Sequence, residues 1–143
     1  MARAIETSLL IRAPAARVWS VLMDFDAYPS WNPFIRSLKG EKRIGGNLEA
    51  AIALPGQKPQ TFRPVVIELA PERVFCWRGS LPIPGLFTGE HRFELAEEAA
   101  GTRFTQSEKF KGLLVPLLGS VLAATERGFQ AMNEELKARA EAA

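Results

Sequence analysis

The chain carries one histidine, His91, and one cysteine, Cys76, so chemistry resting on an imidazole or a thiol has a single address. His91 falls where Gly89, His91, Phe93 and Leu95 alternate with Thr88, Glu90, Arg92 and Glu94. In the next such segment Thr102, Phe104, Gln106, Glu108 and Phe110 alternate with Arg103, Thr105, Ser107 and Lys109. Alternate residues of a strand share a face, and the charged faces belong to solvent. His91, Gln106 and Glu108 are therefore turned inward among aromatic side chains. An imidazole and a carboxylate held together can act as general base and acid on a substrate with an acidic C–H or a carbonyl. Burying both is costly unless they satisfy each other or meet a polar group of a ligand. A structural cross-strand pair is the plainer reading of these residues; ligand orientation or proton transfer is the sharper one.

A turn centred on Ala99-Ala100 sets His91 opposite Glu108, Phe93 opposite Gln106 and Leu95 opposite Phe104. A connection centred on Pro84 sets Phe75 opposite Phe93 and Trp77 opposite His91. A slip of one residue would expose the large apolar side chains, so the predicted inner row is Trp77, His91, Glu108. On the preceding strand Arg63, Val65, Ile67 and Leu69 share a face, which brings Arg63 to one end of that surface. Cys76 lies on the face opposite Phe75 and Trp77 with no evident basic partner, and reads as a passive thiol. A lone histidine excludes two-histidine metal sites, and no cysteine or carboxylate spacing completes another set. No metal or cofactor is expected.

Positioning these residues falls to the elements around them. Residues 4–12 alternate loosely and read as a strand. Pro14 suits a first helical turn, and Val18, Val21, Leu22 and Phe25 follow on one face until Pro29 and Pro33 end the helix. From Phe34 the period is two, broken at Gly45-Gly46, Pro55-Gly56, Ala70-Pro71, Pro82 to Gly85 and Ala99 to Gly101, which makes six further strands. In the last third Leu114, Leu118, Val121, Leu122, Thr125, Phe129, Met132 and Leu136 step by three and four. They draw an apolar stripe along a helix of roughly 26 residues, or ~39 Å. Gly119 and Gly128 within it are best explained by close packing. Short strands cover so long a stripe only by curving around it.

The expected fold is α+β: a seven-stranded curved antiparallel sheet wrapped around a long C-terminal helix, with two short helices between the first two strands. The space between would be lined by Arg63, Val65, Ile67, Phe75, Trp77, His91, Phe93, Gln106 and Glu108 from the sheet. Leu118, Val121, Leu122, Thr125 and Phe129 would line it from the helix. Strand parity brings residues 55–59, 81–87 and 112–119 to one end, and two of these connections are too apolar for solvated loops. Leu81, Ile83, Leu86, Phe87, Leu113 and Leu114 are expected to gate a cavity mouth there. Packing on one another, on a second subunit or on a membrane are the alternatives.

With 143 residues and 47% hydrophobic content the chain has material for one core, and 1–143 is expected to be a single domain. Lys and Arg number 18 against 16 Asp and Glu, a formal charge of +2, without the dense basic footprint of nucleic-acid binding. The N-terminus lacks a continuous apolar h-region, and no apolar run approaches the about 18 residues of a membrane span. One cysteine suits a reducing compartment, and a soluble cytoplasmic protein is expected.

The segment Tyr28-Pro29-Ser30-Trp31-Asn32-Pro33-Phe34-Ile35, preceded by Pro14-Ala15-Ala16-Arg17-Val18-Trp19, resembles the START-like (SRPBCC) superfamily in its polyketide cyclase/dehydrase and lipid-transport branch. The resemblance covers nearly the whole chain. It implies the helix-grip fold and a START-like ligand-binding domain, with a deep apolar cavity between sheet and C-terminal helix. That superfamily includes ligand carriers, cyclases, oxygenase domains and chaperone activators, so the occupant stays open. The first expectation is binding or transport of a small hydrophobic molecule: a lipid, a polyketide-like compound or an aromatic metabolite. The alternative is a metal-free cyclase, dehydratase or isomerase with His91 and Glu108 as acid-base groups. The expected partner is a small hydrophobic ligand and not nucleic acid, with membrane contact and the choice of monomer or homodimer left open.

Overall fold

The computed structural model describes residues 2–80 and 85–142. Strand β1 (Ala2–Ile11) leads into helix α1 (Ala15–Met23), a 3-10 turn (Phe25–Ala27) and a short helix α2 (Tyr28–Trp31). Strands β2 (Ile35–Gly40), β3 (Leu48–Ile52), β4 (Gln60–Phe62), β5 (Val65–Ala70), β6 (Val74–Ser80), β7 (Thr88–Glu98) and β8 (Gly101–Lys111) follow. A 3-10 turn (Val115–Leu117) then opens into helix α3 (Gly119–Glu141). Among the described residues, no helix is long and apolar enough to cross a membrane.

Helix α1 begins where its pattern placed it: Pro14, extended, accepts the Val18 N–H, and Val18, Val21 and Leu22 are buried, but Phe25, expected on the same helix, is buried in the 3-10 turn that follows. Pro29 does not end this helix. It lies in the first turn of α2, where a missing N–H costs nothing. The buried Tyr28 hydroxyl donates to the Leu22 carbonyl, and burial pushes its ionisation above the ordinary tyrosine range. Asn32 then turns the chain into β2, its Oδ1 accepting the N–H groups of Phe34 and Ile35.

Two antiparallel sheets form, β1-β8-β7-β6-β5 and β2-β3-β4, giving eight strands among the described residues where seven were expected. The extra strand arises at Arg63-Pro64. Proline cannot donate to a ladder, so the stretch 60–70 divides into β4 and β5, which join different sheets. Backbone bonds still link the sheets: Gly45 N–H to Val66 O, Val66 N–H to Gly46 O and Leu48 N–H to Pro64 O, at 2.8–2.9 Å.

In the larger sheet His91 pairs with Glu108, Phe93 with Gln106 and Leu95 with Phe104, while Phe75 pairs with Phe93 and Trp77 with His91, all as expected. β5 departs from its predicted alternation. A bulge between Val66 and Glu68 pairs Val66 with Trp77 and Leu69 with Phe75, leaving Ile67 as the extra residue. Val66 is therefore the buried residue, and Val65, expected inside, is 37% exposed. Arg63 also lies outside, its side chain 74% exposed and 3.9 Å from Glu49.

The core is built on a stack of rings, Phe25, Phe75, Phe93 and Phe104, each 6.0 Å from the next. Helix α3 lies against it with Phe129 between the rings of Phe34 (5.5 Å) and His91 (4.8 Å). Pro116 sits in the 3-10 turn before the helix, so Leu114 and Leu118 precede α3 instead of belonging to it. Its last carbonyls, on Arg139, Ala140 and Ala142, accept from the Arg17 guanidinium, which occupies acceptors a helix end leaves open. Gly128 abuts the Phe34 ring, whereas Gly119 faces open space; close packing explains the first and not the second.

Cys76 is buried on the outer face of β6. It does have a basic neighbour: Arg92, opposite it in β7, whose guanidinium reaches Glu68 and Glu94. Burial outweighs that charge and pushes the thiol up to about 11.

Two outcomes follow from this packing. Gly128→Ala gains about 1 kcal/mol of helix propensity but drives a Cβ into the Phe34 ring, a clash of about 1–3 kcal/mol. Urea unfolding is expected to show net destabilisation, and a variant as stable as the parent would mean that the ring has room to move. Cys76 is expected to react with a disulfide reagent at about pH 8 at least ten-fold more slowly in the folded chain than in denaturant. Equal rates would mean an accessible thiol.

Candidate functional site

Strands β7 and β8 place His91, Gln106 and Glu108 on the inner face, and α3 brings Asn133 onto them. His91 Nε2 lies 2.8 Å from Gln106 Oε1. Gln106 Nε2 donates to Asn133 Oδ1 at 2.7 Å, and Asn133 Nδ2 donates to Thr7 Oγ1 at 2.8 Å. The Thr7 hydroxyl donates to the Gln106 main-chain carbonyl at 3.0 Å. His91, Gln106 and Asn133 are all buried, so these bonds satisfy groups withdrawn from bulk water. On the other side of the imidazole, Nδ1 lies 3.4 Å from Glu108 Oε1. The imidazole is 2% exposed and the carboxylate 17%, which makes Glu108 the member of the pair that reaches open space.

That space is a cavity of about 340 Å³, near the lower end of the range of about 300–1,000 Å³ typical of small-molecule pockets. Phe34, Trp77, Phe87 and Phe110 give it aromatic walls; Ile52, Leu54, Phe62 and Pro64 close it on one side, and Val121 and Thr125 from α3 on another. Gly89 lies in the wall beside Glu108, and a Cβ there would collide with Glu108 Oε2. The remaining polar wall residues, Gln57, Lys58, Gln60 and Ser80, are exposed. The connections before β7 and after β8 are bonded together, Leu113 and Leu114 N–H to the Gly85 and Leu86 carbonyls at 3.0 Å each. Gly112, at φ +128°, permits that approach, since a Cβ would meet the Leu86 carbonyl. Among the described residues, no group of His, Cys, Asp and Glu could hold a metal ion.

Of the residues expected from the sheet, Trp77, His91 and Glu108 line this cavity. Phe75 and Phe93 lie in the core and Gln106 in the polar chain behind His91. Arg63, Val65 and Ile67 are not part of the wall. From the helix segment Val121 and Thr125 line it, Leu122 and Phe129 are buried in the core, and Leu118 packs at the core's edge. Among the expected gate residues Phe87 lines the cavity, Leu86 and Leu114 are half-buried, and Leu113 is 75% exposed. Leu81 and Ile83 lie outside the described residues.

Sequence reasoning missed the wall supplied by Phe34, Ile52, Leu54 and Phe62, because nothing in a strand pattern tells that a second small sheet folds over the first. It also missed Thr7 and Asn133. Those two had a signal: Thr7 interrupts the apolar face Ile5, Leu9, Ile11, and Asn133 stands four residues after Phe129 on the buried stripe of α3. A buried polar residue needs a partner.

A curved antiparallel sheet closed by a C-terminal helix over an apolar cavity is the helix-grip arrangement. The chain belongs to the polyketide cyclase/dehydrase and lipid-transport family, whose sequence model matches residues 2–141. Its fold is similar to that of the Zhui aromatase/cyclase from Streptomyces sp. R1128 (TM-score 0.80, 20% identity, 99% of this chain and 94% of that one). A START superfamily protein from Mycobacterium smegmatis is also similar (TM-score 0.73, 20% identity, 96% and 97% covered). So is the di-domain ARO/CYC StfQ from the steffimycin biosynthetic pathway (TM-score 0.76, 16% identity); 99% of this chain is matched, spanning 52% of that one. At these identities the likeness is one of fold. No curated protein matches the chain in sequence.

Removing Gln106 would orphan His91 Nε2 and Asn133 Oδ1 together, at about 1–3 kcal/mol for each buried group. Gln106→Leu is therefore expected to lower the urea midpoint markedly, while a change on the solvent face such as Ser107→Ala leaves it within error. Similar midpoints for both would remove the polar chain from the list of stabilising features.

Proposed function

We propose that residues 1–143 form one START-like ligand-binding domain that binds or carries a small hydrophobic molecule, of the lipid, polyketide-like or aromatic kind, between the sheet and α3. The observation that carries this reading is the cavity of about 340 Å³, apolar in its walls and polar at its inner end where Glu108 emerges beside Gly89. Leu86, Phe87, Leu113 and Leu114 act as its gate: Phe87 stands in the wall, and the loops carrying all four are bonded to each other. A cytoplasmic setting suits the lone buried thiol.

A second reading is favoured by one observation, the imidazole–carboxylate edge on the cavity. In it the chain is a metal-free cyclase, dehydratase or isomerase, and Glu108 and His91 exchange a proton with a carbonyl-bearing substrate. The binding reading asks less, since the same pair can simply orient a guest.

Native mass spectrometry of the protein purified from its own host is expected to show a bound small molecule. Val121→Trp, which fills the cavity side of α3, is expected to lose that mass at an unchanged melting temperature. A parent protein that carries nothing, and takes up no apolar probe, would sink the binding reading. With a substrate in hand, Glu108→Gln and His91→Gln are expected to keep binding; loss of turnover in both would establish the enzyme reading, and unchanged rates would remove it.

A further inference from the structure

A threonine hydroxyl has one proton. Thr7 gives its proton to the Gln106 carbonyl, so its oxygen accepts from Asn133, whose amide nitrogen faces it at 2.8 Å. Asn133 then presents its oxygen to Gln106 at 2.7 Å, and Gln106 presents its oxygen to His91 at 2.8 Å. His91 Nε2 must carry the hydrogen. Turning both amides round would require the Thr7 proton at Asn133 and would forfeit its bond to the Gln106 carbonyl.

With Nε2–H committed, the edge between Nδ1 and Glu108 Oε1, 3.4 Å wide, has room for one proton. On Nδ1 that proton leaves Glu108 a carboxylate; on Oε1 it makes Glu108 an acid that donates to Nδ1. In both states Oε2 is a bare acceptor. A proton on Oε2 would set the Nδ1 lone pair against those of Oε1 with nothing between them. Oε2 lies against Gly89 in the cavity wall, whereas Gln57, Lys58, Gln60 and Ser80 are exposed to water that can satisfy them. The demand for a partner is thus concentrated on one oxygen at the inner end.

We infer that Thr7, Asn133 and Gln106 are positioning residues that hold His91 as its Nε2–H form, and that Glu108, its Oε1 turned to His91, offers the cavity an acceptor and no donor. The bound molecule therefore carries a hydroxyl, phenol or N–H at its inner end, and a ketone or ether in that place is rejected. This inference rests on the reading of the cavity as a ligand site.

The test pairs nitrogen-15 NMR of the imidazole with three probes of one ring system: 2-naphthol, 2-methoxynaphthalene and 2-acetylnaphthalene. The chain has one histidine, so a single ring reports. Nε2 is expected to bear the hydrogen, and calorimetry is expected to rank 2-naphthol roughly ten-fold or more above the ether and the ketone. Glu108→Gln, whose amide can turn a donor to the cavity, is expected to bring naphthol and ketone together; Thr7→Val is expected to free the ring tautomer. Should Thr7→Val not fold, the parent's NMR and the Glu108→Gln comparison decide alone. Equal affinities in the parent, or an Nε2 without hydrogen, would overturn the inference and leave cavity binding standing. Failure of all three probes to bind would overturn both.

Discussion

Gln106 and Asn133, both buried, meet at 2.7 Å across the boundary between sheet and helix. Apolar contacts tolerate a helix that slides, because one methyl group replaces another. A buried amide pair does not, since separation leaves two polar groups unsatisfied where the local dielectric is low. The seating of α3 on β8 therefore depends on this bond. Once Asn133 is placed, helix geometry carries Phe129, Thr125 and Val121 along the same face in four-residue steps. Phe129 covers His91, and Thr125 and Val121 arrive at the cavity wall.

The cavity is where that face changes size. Toward the C-terminal half, Phe129, Met132 and Leu136 are fully buried and meet the core. Toward the N-terminal half, Thr125 and Val121 are too small to reach the opposing strands, and Gly89 contributes no side chain at all. The smaller sheet supplies the far wall, held to the larger one at Gly45–Leu48 and Pro64–Val66. Space, an apolar wall and a single polar inner end are thus by-products of one helix laid at a fixed height over a curved sheet. The frame is compatible with several chemistries, and the wall residues, not the frame, select among them.

The register of β6, β7 and β8 was legible because each strand alternates strictly and each connection is bounded by residues that fix its length. The inner row Trp77, His91, Glu108 came from that alone, as did the burial of Gln106. Strand parity also located the apolar connections at the end where Phe87 and Val121 now stand. Alternation failed at β5, where Ile67 bulges, because one inserted residue puts the residues before it on the opposite face from those after it: Leu69 keeps its place opposite Phe75, while Val65 is turned out, and Arg63 lies before Pro64, outside both strands.

What the sequence by itself determined was the class of fold, the faces of the strands, the long helix, and an imidazole and a carboxylate brought together in the interior. These follow from periodicity and short turns, which are local. Only the tertiary structure decided that the smaller sheet closes the cavity and that Thr7 and Asn133, 126 residues apart, complete the polar chain behind His91. It also decided that Glu108 and Lys58, and not Arg63, supply charge to the wall. Those contacts join elements far apart in the chain, and their partners are chosen by packing height and hydrogen-bond need, quantities that no single segment contains.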